Sequence, residues 1–166
     1  MNQVINIVLG GLGGQGVLTA SDILADAAFR AGFDVKKSEL HGMSQRGGSV
    51  SSDVRYGPRV LSPMVPAGEA DFLLVLEPTQ VEVNRPVLKP GGVLITTDVI
   101  PEKTLKNKKS LNVAMLGALS ALLDIPEPDW MDAIHARLAA KLHRLNDEAF
   151  AAGRNAAAQR LLVSHS

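Results

Sequence analysis

Apolar positions in this chain fall into continuous runs and spaced stripes, and the two kinds predict different elements. Val4-Ile5-Asn6-Ile7-Val8-Leu9 is nearly all apolar. Such a run suits a strand covered on both faces, and Val4–Leu9 is read as the first strand. From Gly14 to Ala31 the apolar residues are spaced at helical intervals (Val17, Ala20, Leu24, Ala27, Ala28, Ala31), and Gly32 is a natural stop. Asp34–Leu40 is a weak second strand, apolar only at Val35 and Leu40. Ser49–Tyr56 alternates and sets Val50, Ser52, Val54 and Tyr56 on one face of a half-exposed strand. Gly57-Pro58 turns the chain, and Arg59–Leu61 is expected to pair back as a hairpin. Phe72–Leu76 and Val93–Thr97 are further buried strands. Pro78 opens a helix running to about Leu88, and Lys89-Pro90-Gly91-Gly92 turns into the next strand. Leu111–Leu123 is a helix of small residues able to pack very closely on a neighbour. Asp129 is the expected N-cap of one last long helix, with Trp130, Ile134, Leu138, Leu142, Leu145 and Ala149 as its apolar stripe.

Strands and helices alternate, with one antiparallel patch. The expected architecture is a three-layer α/β/α fold with a mixed, mainly parallel sheet and a Rossmann-like first βα unit. At 166 residues the chain is expected to form a single domain over 1–166.

Charge and composition narrow the function. Seventeen basic residues balance seventeen acidic ones, which speaks against a nucleic-acid binder. The lysines at 103, 106, 108 and 109 read as a solvated loop. With no cysteine the chain forms no disulfide and offers no thiolate for an ordinary iron–sulfur cluster. No apolar run approaches the roughly 20 residues of a membrane span. The first residues lack the basic start and apolar core of a signal peptide, so the cytoplasm is the expected compartment.

Three groups of residues carry candidate chemistry. After the first strand comes Gly10-Gly11-Leu12-Gly13-Gly14-Gln15-Gly16, in which Gly11, Gly13 and Gly16 fit a dinucleotide-binding spacing. One reading is a dinucleotide site, with Glu39 holding ribose hydroxyls. A second is an anion site for part of a ligand or cofactor, with the Gln15 amide able both to donate and to accept. A third is structural, the glycines allowing a strand and a helix to pack closely. The second group is Ser38–Ser49, a polar loop that can present Arg46 to a phosphate or carboxylate, with the backbone of Gly47 and Gly48 assisting; its plainer reading is an ordinary solvated loop. The third is Glu69, Asp71 and Glu77, bracketing a buried strand. Capping and loop roles account for most of these carboxylates. Glu77 stands at a strand's C-terminal end, where open α/β sheets bind ligands, and is the possible catalytic carboxylate. His41, His135, His143 and His165 are scattered and outline no metal site. No G-x-S-x-G elbow and no Walker loop is present.

Gly11–Val17, His41–Val50, and Gly68-Glu69-Ala70-Asp71 leading to Leu76-Glu77-Pro78 together resemble the gamma-type subunit of 2-oxoacid:ferredoxin oxidoreductases. Within that family the likeness is to the beta subunit of indolepyruvate ferredoxin oxidoreductase, and Asn112–Ser120 and Asn146–Gly153 fit the same branch. The resemblance implies oxidative decarboxylation of 2-oxoacids, here indolepyruvate or related aryl pyruvates. Coenzyme A is the co-substrate, and acyl-CoA, carbon dioxide and reduced ferredoxin are the products. It places thiamine diphosphate and iron–sulfur clusters on a larger partner subunit and none on this chain, which should be inactive alone. The positions it carries over are Gly13, Gly14, Gln15, Ser44, Gln45 and Arg46, and Gly11, Gly16 and Gly47 complete the candidate ligand-binding set. The rivals are a stand-alone NAD(P)- or FAD-binding oxidoreductase and a non-catalytic regulatory or scaffold subunit. One departure stands out. Members of the family are expected to carry an extra strand and helix where this chain has only Asp98–Leu111, so either the domain is shortened there or a segment is missing from the sequence.

Overall fold

The computed structural model describes residues 3–41 and 48–164. Five strands form one sheet: β1 (Ile5–Leu12), β2 (Asp34–His41), β3 (Ser49–Gly57), β4 (Ala70–Val75) and β5 (Leu88–Ile95). Their spatial order is β2-β3-β1-β4-β5. β1 pairs parallel with β4, and β4 with β5; β3 runs antiparallel to both β1 and β2. The helices are α1 (Val17–Arg30), α2 (Val81–Asn84), α3 (Leu111–Ser120), α4 (Glu127–Arg137) and α5 (His143–Ser164). This is the mixed-sheet α/β fold expected from the alternation of elements.

The two faces of the sheet are covered unequally. One face sets Ile7 and Leu9 of β1, Val54 and Tyr56 of β3, Leu74 and Ile95 against α1, α3, α4 and α5, and this is the main core. The other face buries Val8, Ala70, Leu73 and Val75 under a thinner cover that includes Val65, Val81 and Val87. The second helical layer is thus reduced to α2 and the 3-10 turns on either side of it.

The small-residue helix packs as its composition predicts. A Cβ on Gly117 of α3 would lie 2.1 Å from the Phe150 carbonyl oxygen. One on Gly153 of α5 would lie 1.8 Å from that of Ala114. Two backbones therefore touch directly, and neither glycine position has room for a methyl group.

Five local expectations fail. The last helix is not continuous. Leu138 and Ala139 are extended, and α4 and α5 are separate helices. The break folds α5 back onto α3, and the His143 Nε2 meets the Leu138 carbonyl at 2.8 Å. Asp129 lies in the first turn of α4, whose N-cap is Pro126. The helix expected over 78–88 is a 3-10 turn, one α turn and a second 3-10 turn; Pro86 removes an N–H and crowds the carbonyl four residues back. Lys89–Gly92 belongs to β5 as an irregularity in its pairing with β4. Gly92 lies against β4, where a Cβ would stand 3.0 Å from the Ala70 carbonyl oxygen. Residues 59–61 form no strand. The Val60 N–H instead donates to the Asp34 carboxylate at 2.7 Å, and Val60 is buried. Between 97 and 110 the chain makes three short 3-10 turns and no strand, so β5 is an edge.

Candidate functional site

The C-terminal ends of the parallel strands gather the polar groups singled out in the sequence. Gly14 and Gly16 both have positive φ, 89° and 82°, which L side chains rarely adopt. The turn they make starts α1 without a side-chain cap and without an acidic residue in its first turn. The first backbone N–H groups of α1 therefore have no partner within the helix and lie at its positive end. Gly13 and Gly14 are exposed beside them.

Gln15 fixes this turn. Its Oε1 accepts from the Leu12 N–H at 2.7 Å, and its Nε2 donates to Glu77 Oε2 at 2.8 Å. The residue able both to donate and to accept does both within the chain, and so ties the glycine turn to the end of β4. Glu77 is half-buried at the predicted strand end, and its other oxygen makes no hydrogen bond among the described residues. Gly11 is a packing position, since a Cβ there would lie 2.8 Å from Val17 and 2.9 Å from Gln15 Oε1.

Ser44, Gln45, Arg46 and Gly47 lie outside the described residues. The end of their loop is placed nonetheless. The Gly13 N–H donates to the Gly48 carbonyl at 2.9 Å, and Ser49 Oγ donates to Gln80 Oε1 at 2.7 Å. The glycine turn thus meets the end of the polar loop, Gly48 lying 35 residues after Gly13.

Three supporting residues were not singled out individually as site residues. Asn112, at the start of α3, donates from Nδ2 to the Gly16 carbonyl at 3.2 Å. Asn84 donates to the Gln80 carbonyl at 2.8 Å and fills the space over Gly10. Gln80 receives Ser49. All three are buried polar side chains, and that was the available signal: an amide opening an otherwise apolar helix needs a partner.

The dinucleotide arrangement is disfavoured. It needs the second strand beside the first, but β3 lies between β1 and β2. Glu39 is therefore two strand spacings, about 10 Å, from β1. Its carboxylate is also held by Lys37. For metals and clusters the donor set is decisive. The chain has no cysteine, and no group of three His, Asp or Glu among the described residues could hold an ion. Among the described residues no helix is long and apolar enough to cross a membrane.

A mixed sheet with a glycine turn at the ends of its parallel strands defines an α/β domain that, among its described residues, gathers no metal-binding group of three His, Asp or Glu. The chain belongs to the pyruvate ferredoxin/flavodoxin oxidoreductase family, whose model matches residues 6–156. It is 50% identical over 91 residues to the indolepyruvate oxidoreductase subunit IorB of Thermococcus kodakarensis, covering 55% of this chain and 45% of that one. It is 32% identical over 127 residues to the common gamma subunit of the pyruvate/ketoisovalerate oxidoreductases of Thermococcus litoralis, covering 74% and 69%. The match thus spans about half the length of the indolepyruvate relatives. Two solved structures share the fold. The gamma subunit of a keto/oxoacid ferredoxin oxidoreductase from Geobacter sulfurreducens superposes with a TM-score of 0.71 at 26% identity, covering 93% of this chain and 99% of that one. The 2-oxoglutarate:ferredoxin oxidoreductase of Magnetococcus marinus, solved with 2-oxoglutarate, coenzyme A and succinyl-CoA, superposes with a TM-score of 0.83 at 24% identity, covering 96% and 32%.

Proposed function

We propose that this chain is the gamma-type subunit of a 2-oxoacid:ferredoxin oxidoreductase acting on indolepyruvate or related aryl pyruvates. The enzyme converts the 2-oxoacid and coenzyme A into an acyl-CoA and carbon dioxide and passes the electrons to ferredoxin. Thiamine diphosphate and iron–sulfur clusters belong to a larger partner subunit, and the present chain completes the site and binds an anionic part of coenzyme A. The observation that carries this reading is the Gly13–Gly48 hydrogen bond. It joins the glycine turn to the loop bearing Ser44, Gln45 and Arg46. Unpartnered amides at the start of α1 and exposed backbone at Gly13 and Gly14 offer a cradle for phosphate, and the role proposed for Arg46 is to add its guanidinium to the same anion. Glu77 holds Gln15 and so positions the turn. The family membership and the indolepyruvate relatives support the substrate class.

The chain purified alone is expected to show no turnover with an aryl pyruvate, coenzyme A and a viologen dye, and to gain it when the partner subunit is added. In the assembled enzyme, Arg46→Ala is expected to raise the KM for coenzyme A roughly 10- to 150-fold, the equivalent of about 1.5–3 kcal/mol for a lost charged hydrogen bond. Turnover by the chain alone overturns the reading. Unchanged coenzyme A kinetics in the Arg46 variant would instead support a scaffold role.

A further inference from the structure

Among the described residues β5 has a neighbour only on its β4 side. Beyond its free edge α3 and α5 overhang the sheet and leave an open groove of about 360 Å³. Val93 and Ile95 of β5 line it, with Val99, Ala118, Leu122 and Ala157. Its walls are mainly apolar, with Thr96, Asp98 and Arg160 also lining it, and an edge strand offers it a row of backbone donors and acceptors. The stretch Val93-Leu94-Ile95-Thr96 carries no charge and no proline. The only lysine of the strand, Lys89, lies at its far end and is held by Asp71.

The chain leaving β5 supplies the charge. Residues 98–109 carry four lysines against Asp98 and Glu102. Lys103 and Lys108 line a recess that adjoins the groove through Asp98. Lys106 pairs with Glu148 at 3.4 Å, whereas Lys103, Lys108 and Lys109 make no ion pair among the described residues. Arg160, at the end of the groove, reaches only the exposed Asp98 at 3.5 Å.

We propose that the β5 edge takes up, as a sixth strand, an extended segment of another polypeptide. That segment is apolar at the alternate positions facing α3 and α5 and acidic where it passes the lysines. Main-chain hydrogen bonds supply the affinity; the groove and the charge supply the selectivity. A second copy of this chain is a poorer occupant. Two-fold antiparallel pairing would set the lysines over residues 88–90 of the other copy, where the nearby Asp71 carboxylate already holds Lys89. The proposal stands apart from the reaction assigned above, and its test reads binding rather than turnover.

The probe is a fluorescein-labelled peptide in which three valines alternate with threonines ahead of four glutamates, followed by fluorescence anisotropy against the full chain. Saturable binding is expected. Val93 is 38% exposed, so Val93→Lys is expected to leave the thermal melt unchanged and to weaken binding about 10-fold or more by placing a cation in the groove. Lys103→Glu combined with Lys108→Glu is expected to cost about as much, as is replacing the four glutamates of the probe with lysines. Val83→Lys, at a valine 64% exposed on α2, is the control and is expected to change nothing. Amides of residues 93–96 should gain hydrogen-exchange protection with the peptide. The proposal is overturned if the peptide does not saturate, if V93K binds it as well as the parent, or if light scattering shows a dimer that V93K converts to monomer.

Discussion

The sheet has two halves that meet at β1, and they are held by different physics. On the antiparallel side, β2 and β3 are rich in polar and charged residues, and the outer strand guards its own edge. Lys37 lies 2.7 Å from Asp22 on α1 and is also bonded to Glu39. Burial works to lower its pKa, but the two carboxylates outweigh it and raise the value. Lys36 stands 4.0 Å from Asp34. On the parallel side, β4 and β5 are mainly apolar and rest on tightly packed helices, and the chain leaving β4 reaches Glu77, which holds the glycine turn through Gln15. The charged edge resists a further strand and the apolar one invites it. The difference teaches where each half spends its residues: the antiparallel side on remaining a closed edge, the parallel side on packing and on holding the glycine turn.

The contrast can be broken most severely at the α3–α5 contact. Gly153→Ala places a methyl group against the Ala114 carbonyl and should cost about 3 kcal/mol or more, beyond the usual range for overpacking because backbone must move. Urea titration would show the loss, and a variant as stable as the parent would mean the helices can separate freely. A smaller effect is expected at the polar end of the same half. Gln15→Ala strands the Leu12 N–H and frees Glu77, for about 1–3 kcal/mol, measured in the same way.

The smallest effect belongs to the antiparallel half and depends on pH. Burial raises the Asp53 pKa, against the opposing bond from the Val65 N–H and the nearby Arg55. A carboxyl whose folded value is raised favours folding while protonated. Its contribution is complete below the unfolded value and is lost as pH rises through the folded one. Asp53→Asn keeps an oxygen for the Val65 N–H and escapes the cost of ionisation. At pH 7 it should therefore be the more stable form, by less than about 1 kcal/mol after solvent screening. Thermal melts at decreasing pH should show the gap closing as Asp53 becomes protonated. A gap that widens toward acid would contradict the assignment.

Much of the fold was legible because burial writes a simple pattern. The continuous runs around Ile7 and Leu73, the alternation from Val50 to Tyr56, and the small residues of Leu111–Leu123 each marked an element that the structure contains. What the pattern could not show was where a helix gives way to tertiary demand. The stretch from Trp130 to Ala149 keeps a helical stripe, and no proline or glycine marks the break at Leu138. The break is imposed by the contact of α5 with α3. The site divides in the same way. Gln15 and Glu77 could be singled out because their side chains carry recognisable chemistry in a recognisable place. Their partnership could not, because 62 residues separate them and the sheet order that joins them is a property of the whole.

The backbone contact between α3 and α5 has a mechanical consequence. At Gly117 and Gly153 backbone meets backbone with no side chain to absorb a displacement, and α3 begins at the amide that grips the Gly16 carbonyl. A shift of α5 at these two points therefore bears directly on the backbone of α3, the helix whose first turn holds the Gly16 carbonyl.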